Sequence, residues 1–97
     1  MGLSGRKFKK EGDSATGVYA LFAYSTKHLS SSDKVRFYYA LKGRNGISGF
    51  LARTNSKHLA KSVILTPIEH DKEAIEFLTY WKCKFERRKV RLLNEED

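Results

Sequence analysis

Apolar positions along this chain of 97 residues fall into six blocks, and the spacing within each block predicts an element. "GVYALFAYS" (17–25) is an unbroken run of β-branched, aromatic and small apolar residues, the pattern of a strand buried on both faces. "KSVILTPI" (61–68) is a shorter run of the same kind, with the only proline near its end. In "EHDKEAIEFLTYWK" (69–82), Ala74, Phe77, Leu78 and Trp81 recur at helical spacing, with acids in the first turn where the helix dipole favours them. "RRKVRLL" (87–93) sets Arg87, Lys89 and Arg91 against Arg88, Val90 and Leu92, which predicts a strand with one wet, basic face. "ISGFLART" (47–54) reads as a strand in which Gly49 marks a bulge or a close backbone approach.

The block "KVRFYYALKGR" (34–44) fits two periods. As a helix ending near residue 42, it has Ser32 or Asp33 as a cap for the free amides at its start. Gly43 follows its end, suited to the left-handed turn that closes many helices. As a strand it alternates Val35, Phe37, Tyr39 and Leu41 with Arg36, Tyr38, Ala40 and Lys42, and Asn45-Gly46 then turns residues 34–54 into a β-hairpin. The helix is favoured, because Tyr38 and Ala40 spoil the polar face of the strand and the capping residues agree with one another.

With the helix chosen, the order is strand–helix–strand–strand–helix–strand. That is the βαββαβ order of the ferredoxin-like split βαβ arrangement, in a single small α+β domain of about four strands and two helices. The chain suits one modest core and no second one. The domain spans residues 17–93. Residues 1–16 mix Gly, Ser and charge without apolar periodicity and read as a flexible basic arm, and 94–97 form an acidic tail. Phe37, Phe50, Phe77 and Trp81 are assigned to the core.

Charge changes the picture more than composition does. Nineteen Lys and Arg against eleven Asp and Glu give +8, and the two signs are segregated. No carboxylate occurs between Asp33 and Glu69, an interval that holds Lys34, Arg36, Lys42, Arg44, Arg53, Lys57 and Lys61. A second basic cluster, Lys82 to Arg91, contains only Glu86. Such asymmetry favours a polyanionic partner. One cysteine cannot form an internal disulfide, and the start "MGLSGRKFKK" lacks the apolar core of a secretory signal; both suit a cytoplasmic, reducing location. The apolar runs are too short for a membrane span.

Candidate chemistry narrows rather than widens the options. "GRNGISG" has neither the spacing of a P-loop nor that of a dinucleotide fingerprint. His28, His58 and His70 are scattered and Cys83 is alone, so no metal-ligand spacing is present; Cys83 is read as a buried, inert thiol. No catalytic residue, metal or cofactor is assigned, and the expected function is non-enzymatic. The remaining signal is basic charge interleaved with aromatics: Lys and Arg neutralise phosphates, and an exposed ring can stack on an unpaired base. The candidate phosphate contacts are Arg36, Lys42, Arg44, Arg53, Lys57, Arg87, Lys89 and Arg91, with Tyr38 as the stacking residue. The turn 42–46 and the final strand are expected to share one surface. RNA is favoured over DNA, because no groove-reading helix with base-contacting Arg, Asn or Gln is evident. The alternative is an assembly module docking on an acidic protein partner.

Overall fold

β1 (Val18–Tyr24) is the strand on which the rest of the domain is built. It pairs antiparallel with β3 (Val63–Pro67) on one side and with β4 (Phe85–Arg91) on the other, and the short β2 (Lys57–Ala60) adds outside β3. The resulting order, β2-β3-β1-β4, is the split βαβ arrangement expected from the sequence. The computed structural model describes residues 17–44 and 48–93; the expected basic arm 1–16, the acidic tail 94–97 and residues 45–47, which include part of the expected turn 42–46, lie outside those residues.

Register explains the unbroken apolar run of β1. Ala20, Phe22 and Tyr24 point to the helix-covered face beside Ile64 and Thr66 of β3. Tyr19 and Leu21 point to the opposite face beside Pro67 and Leu65, where Tyr19 and Leu65 are also buried. Both faces of β1 therefore need apolar side chains, and a continuous run supplies them.

The first crossover is a helix, α1 (Ser31–Lys42), so the hairpin alternative for 34–54 is excluded. Its cap is Ser30, whose hydroxyl accepts from the Asp33 amide at 3.1 Å. Ser32 and Asp33, the caps expected from sequence, lie inside the first turn instead, where the Asp33 carboxylate meets the positive end of the helix dipole. The other end closes on Gly43 at φ 82°, whose amide donates to the Tyr39 carbonyl at 2.7 Å.

The described part of "ISGFLART", residues 48–54, is not a strand. From Phe50 to Thr54 the chain forms one further short helix, α2, with Gly49 as its N-cap. Phe50 and Thr54 are four apart and both fully buried, so helical spacing brings both to the core. The Thr54 hydroxyl donates to the Phe50 carbonyl at 2.8 Å, and Ser56 donates to Thr66 at 2.9 Å, tying the end of α2 to β3. The strand that belongs here is β2, in which only His58 is partly buried. A 3₁₀ turn (Ile68–His70) after Pro67 leads into α3 (Asp71–Tyr80).

The core lies between the sheet and the helices. Phe22, Phe37, Leu41, Phe50, Ile64 and Leu78 are fully buried. Phe77 stacks on Phe50 with centroids 4.6 Å apart, and Trp81 meets Phe37 edge-on at 5.6 Å; both are half-buried at the margin of the same cluster. Among the described residues no helix is long and apolar enough to cross a membrane.

Candidate nucleic-acid interface

The nine residues assigned from sequence do not gather at one place. Lys57 lies on β2 and Lys89 and Arg91 on β4, which are the two opposite edges of the sheet, about 14 Å apart across three strand spacings. Lys42 closes α1 and Arg44 follows its Gly43 cap, on a different element from Lys89 and Arg91 of β4. Several of these cations are already engaged. The Arg87 guanidinium grips Asp71 with both arms, Nε to Oδ1 at 2.8 Å and Nη2 to Oδ2 at 2.6 Å, and this hydrogen bond raises its pKa further. Arg36 lies 3.7 Å from Asp33. Arg44 sits over the Tyr39 ring at 4.7 Å and Lys42 over Tyr38 at 5.6 Å. Arg53 is 5.6 Å from the Phe50 ring and shares a concavity with Glu73 and Glu76. Tyr38 is half-buried with its ring edge-on to Phe37 at 5.4 Å, a core position rather than a platform.

A different set of basic residues does converge, at the end of the sheet where β1 stops and β4 starts. Tyr24 is the register partner of Phe85, so the loop leaving β1 and the loop entering β4 emerge side by side. The Ser25 amide extends the ladder by donating to the Lys84 carbonyl at 3.0 Å. His28 reaches across with Nε2 2.8 Å from the Trp81 carbonyl; a carbonyl only accepts, so Nε2 carries the proton. Between the loops lies a concavity of about 290 Å³ lined by Ser25, Lys27, His28, Lys82 and Lys84, with no carboxylate on its wall. Glu86, two residues beyond Lys84, lies 3.8 Å from Arg88.

Lys82 holds an unusual position in this site. The end of α3 is a Schellman turn, with the Cys83 amide donating to the Leu78 carbonyl and the Lys82 amide to that of Thr79, both at 2.9 Å. Lys82 is therefore the left-handed residue of the turn, at φ 59°, where glycine is the usual occupant. A side chain there costs roughly 1–2 kcal/mol. The strain places an ammonium group on the wall of the concavity.

Lys27, His28, Lys82 and Lys84 were outside the set assigned from sequence. Their two loops are more than fifty residues apart in sequence, and the β1–β4 register and the His28–Trp81 hydrogen bond join them. Cys83, between the two lysines, is buried as expected, and burial pushes its thiol pKa up. Among the described residues no group of three or more His, Cys, Asp or Glu side chains is placed to hold a metal. Comparison with protein-family models, with curated proteins and with solved structures finds no match to this chain.

Proposed function

We propose that this protein is a small, non-enzymatic nucleic-acid-binding domain that contacts mainly phosphates, and that the loops 25–28 and 82–84 are its principal contact. The observation that carries this reading is the carboxylate-free concavity ringed by Lys27, His28, Lys82 and Lys84 on a chain of net charge +8. Lysine ammonium groups are donors suited to phosphate oxygens, and their recognition is independent of base sequence. The volume lies at the lower limit of small-ligand pockets, which run from roughly 300 to 1,000 Å³, so it suits a phosphate group better than a whole buried metabolite.

RNA remains favoured over DNA. The helices that face solvent carry no Arg, Asn or Gln row suited to the major groove, and α3 presents Glu73 and Glu76 outward. The alternative, docking on an acidic protein partner, finds less support at the sheet edges. β2 is four residues long and irregular between His58 and Ala60, and β4 is strewn with Arg and Lys, two features that oppose strand addition.

The test is fluorescence anisotropy of a labelled mixed-sequence oligonucleotide with the wild-type chain and with the double variant Lys82→Ala/Lys84→Ala. Binding to unrelated sequences should weaken to a similar extent in the variant. Equal affinity of the two proteins removes these loops from the interface.

A further inference from the structure

Beside the lysine-ringed concavity lies a second, larger one of about 490 Å³, and the two share His28 and Lys82. Its remaining walls are Leu29, Arg36, Tyr80 and Trp81, with Asp33 as the one carboxylate, 3.7 Å from Arg36. Tyr80 is the last residue of α3 and is 77% exposed, the most open aromatic side chain among the described residues. Its ring is not loose: it meets Trp81 edge-on at 5.6 Å, and Trp81 is in turn fixed edge-on against the buried Phe37 at the same distance. A ring held by one edge contact and otherwise open to solvent is a stacking surface, and every nucleobase offers a matching face.

We infer that this cleft takes an unpaired nucleobase, stacked on Tyr80, while the adjoining lysine-ringed concavity takes a phosphate of the same strand; the domain then prefers single-stranded over duplex nucleic acid. The inference rests on the phosphate-binding reading above and adds the substrate class to it. Charge sets the course of the strand. On its other side Tyr80 borders Glu73 and Glu76 with Arg53 as the one cation, a net negative wall, whereas on this side Arg36 and Lys82 outweigh Asp33 and attract phosphates. A base in a duplex is already stacked on its neighbours and offers no free face, so only an unpaired one gains the Tyr80 contact. Arg36, assigned to nucleic acid from its sequence context alone, acquires a place on the wall of this cleft.

The experiment compares a single-stranded oligonucleotide with the duplex of the same length, at one ionic strength, for wild type, Tyr80→Ala and Tyr80→Phe. Trp81 is the only tryptophan of the chain and touches Tyr80, so its fluorescence reports occupancy of the cleft directly. Tyr80→Ala should lower single-strand affinity by roughly 5- to 150-fold, the range for loss of one base–aromatic stack. Tyr80→Phe should retain the affinity, duplex binding should not change, and quenching of Trp81 by the single strand should disappear only in the alanine variant. If Tyr80→Ala binds single strands as tightly as wild type while duplex binding persists, stacking is overturned and the phosphate reading survives. If the wild-type chain binds neither strand form, both are overturned.

Discussion

Gly43 and Gly49 lie backbone against backbone. A Cβ on Gly43 would come within 2.7 Å of the Gly49 nitrogen, and one on Gly49 would come within 2.5 Å of the Leu41 carbonyl oxygen and of the Lys42 carbonyl carbon. None of these atoms can move away as a side chain can. The end of α1 and the start of α2 are locked together by the absence of two methyl groups, and α2 in turn delivers Phe50 to the core. Gly49→Ala should therefore destabilise the fold by about 2–3 kcal/mol, the upper part of the range for forced overpacking. Denaturant unfolding of the variant reads this; a change below about 0.5 kcal/mol contradicts the close approach.

The grip of Arg87 on Asp71 should act on stability rather than on binding. It joins the edge strand β4 to the first turn of α3, in two charge-assisted hydrogen bonds that are partly shielded from water. Arg87→Ala should cost about 1–2 kcal/mol, between the values for exposed and buried ion pairs. Lys89→Ala, two residues along on the same face and exposed, should cost less than about 0.5 kcal/mol. Equal unfolding midpoints for the two variants contradict this division.

Lys82 should trade stability for binding. Lys82→Gly relieves the left-handed strain at φ 59° and removes an ammonium from the concavity. It should raise the unfolding free energy by about 1 kcal/mol. Oligonucleotide affinity should fall in the same variant. A variant that is both less stable and equally tight in binding contradicts the role given to this residue.

Alkaline pH should weaken the fold in a defined window. Burial pushes the Tyr24 phenol well above its ordinary pKa of 10.0, with the neighbouring Tyr38 and Cys83 acting in the same direction. The folded state thus holds the phenolic proton after the unfolded state has released it. Stability from this group is fully present below pH 10 and declines above it. The phenol donates to the Lys61 carbonyl only at 3.5 Å, so Tyr24→Phe should change stability little at pH 7 and flatten the loss above pH 10. Unfolding midpoints at pH 7 and pH 11 for wild type and variant check this. The raised thiol of Cys83 predicts in addition that the native chain resists alkylation at pH 8, where the unfolded chain reacts.

Where elements are strongly patterned, their residues alone suffice to find them. β1 and β3 announce themselves by unbroken apolar runs, α3 by the spacing of Ala74 and Leu78, and the end of α1 by Gly43. β2 has no such signal: as an exposed edge strand it buries too little for "KHLA" to carry an apolar alternation. The apolar residues of "ISGFLART" drew the strand assignment to themselves, although Phe50 and Thr54 are spaced for a helix. "HLSSSD" offered several capping residues within one turn, and the choice of Ser30 depends on how the loop leaves β1. The candidate interface was hidden for a related reason. Lys27 and His28 meet Lys82 and Lys84 through tertiary structure, by strand pairing and the His28–Trp81 hydrogen bond, and the Schellman turn before Cys83 carries a lysine where a glycine would have marked it.

The measurement that bears most directly on the central claim is the salt dependence of oligonucleotide binding by wild type and by Lys82→Ala/Lys84→Ala. Each phosphate contact releases condensed counterions, so the slope of log affinity against log salt counts the contacts made. The account predicts a negative slope for the wild type that becomes shallower in the double variant by about 1.4–1.8, which is two contacts at roughly 0.7–0.9 each. The same loss should be found for unrelated sequences. Identical slopes for the two proteins, or no binding by the wild type at low salt, would contradict it.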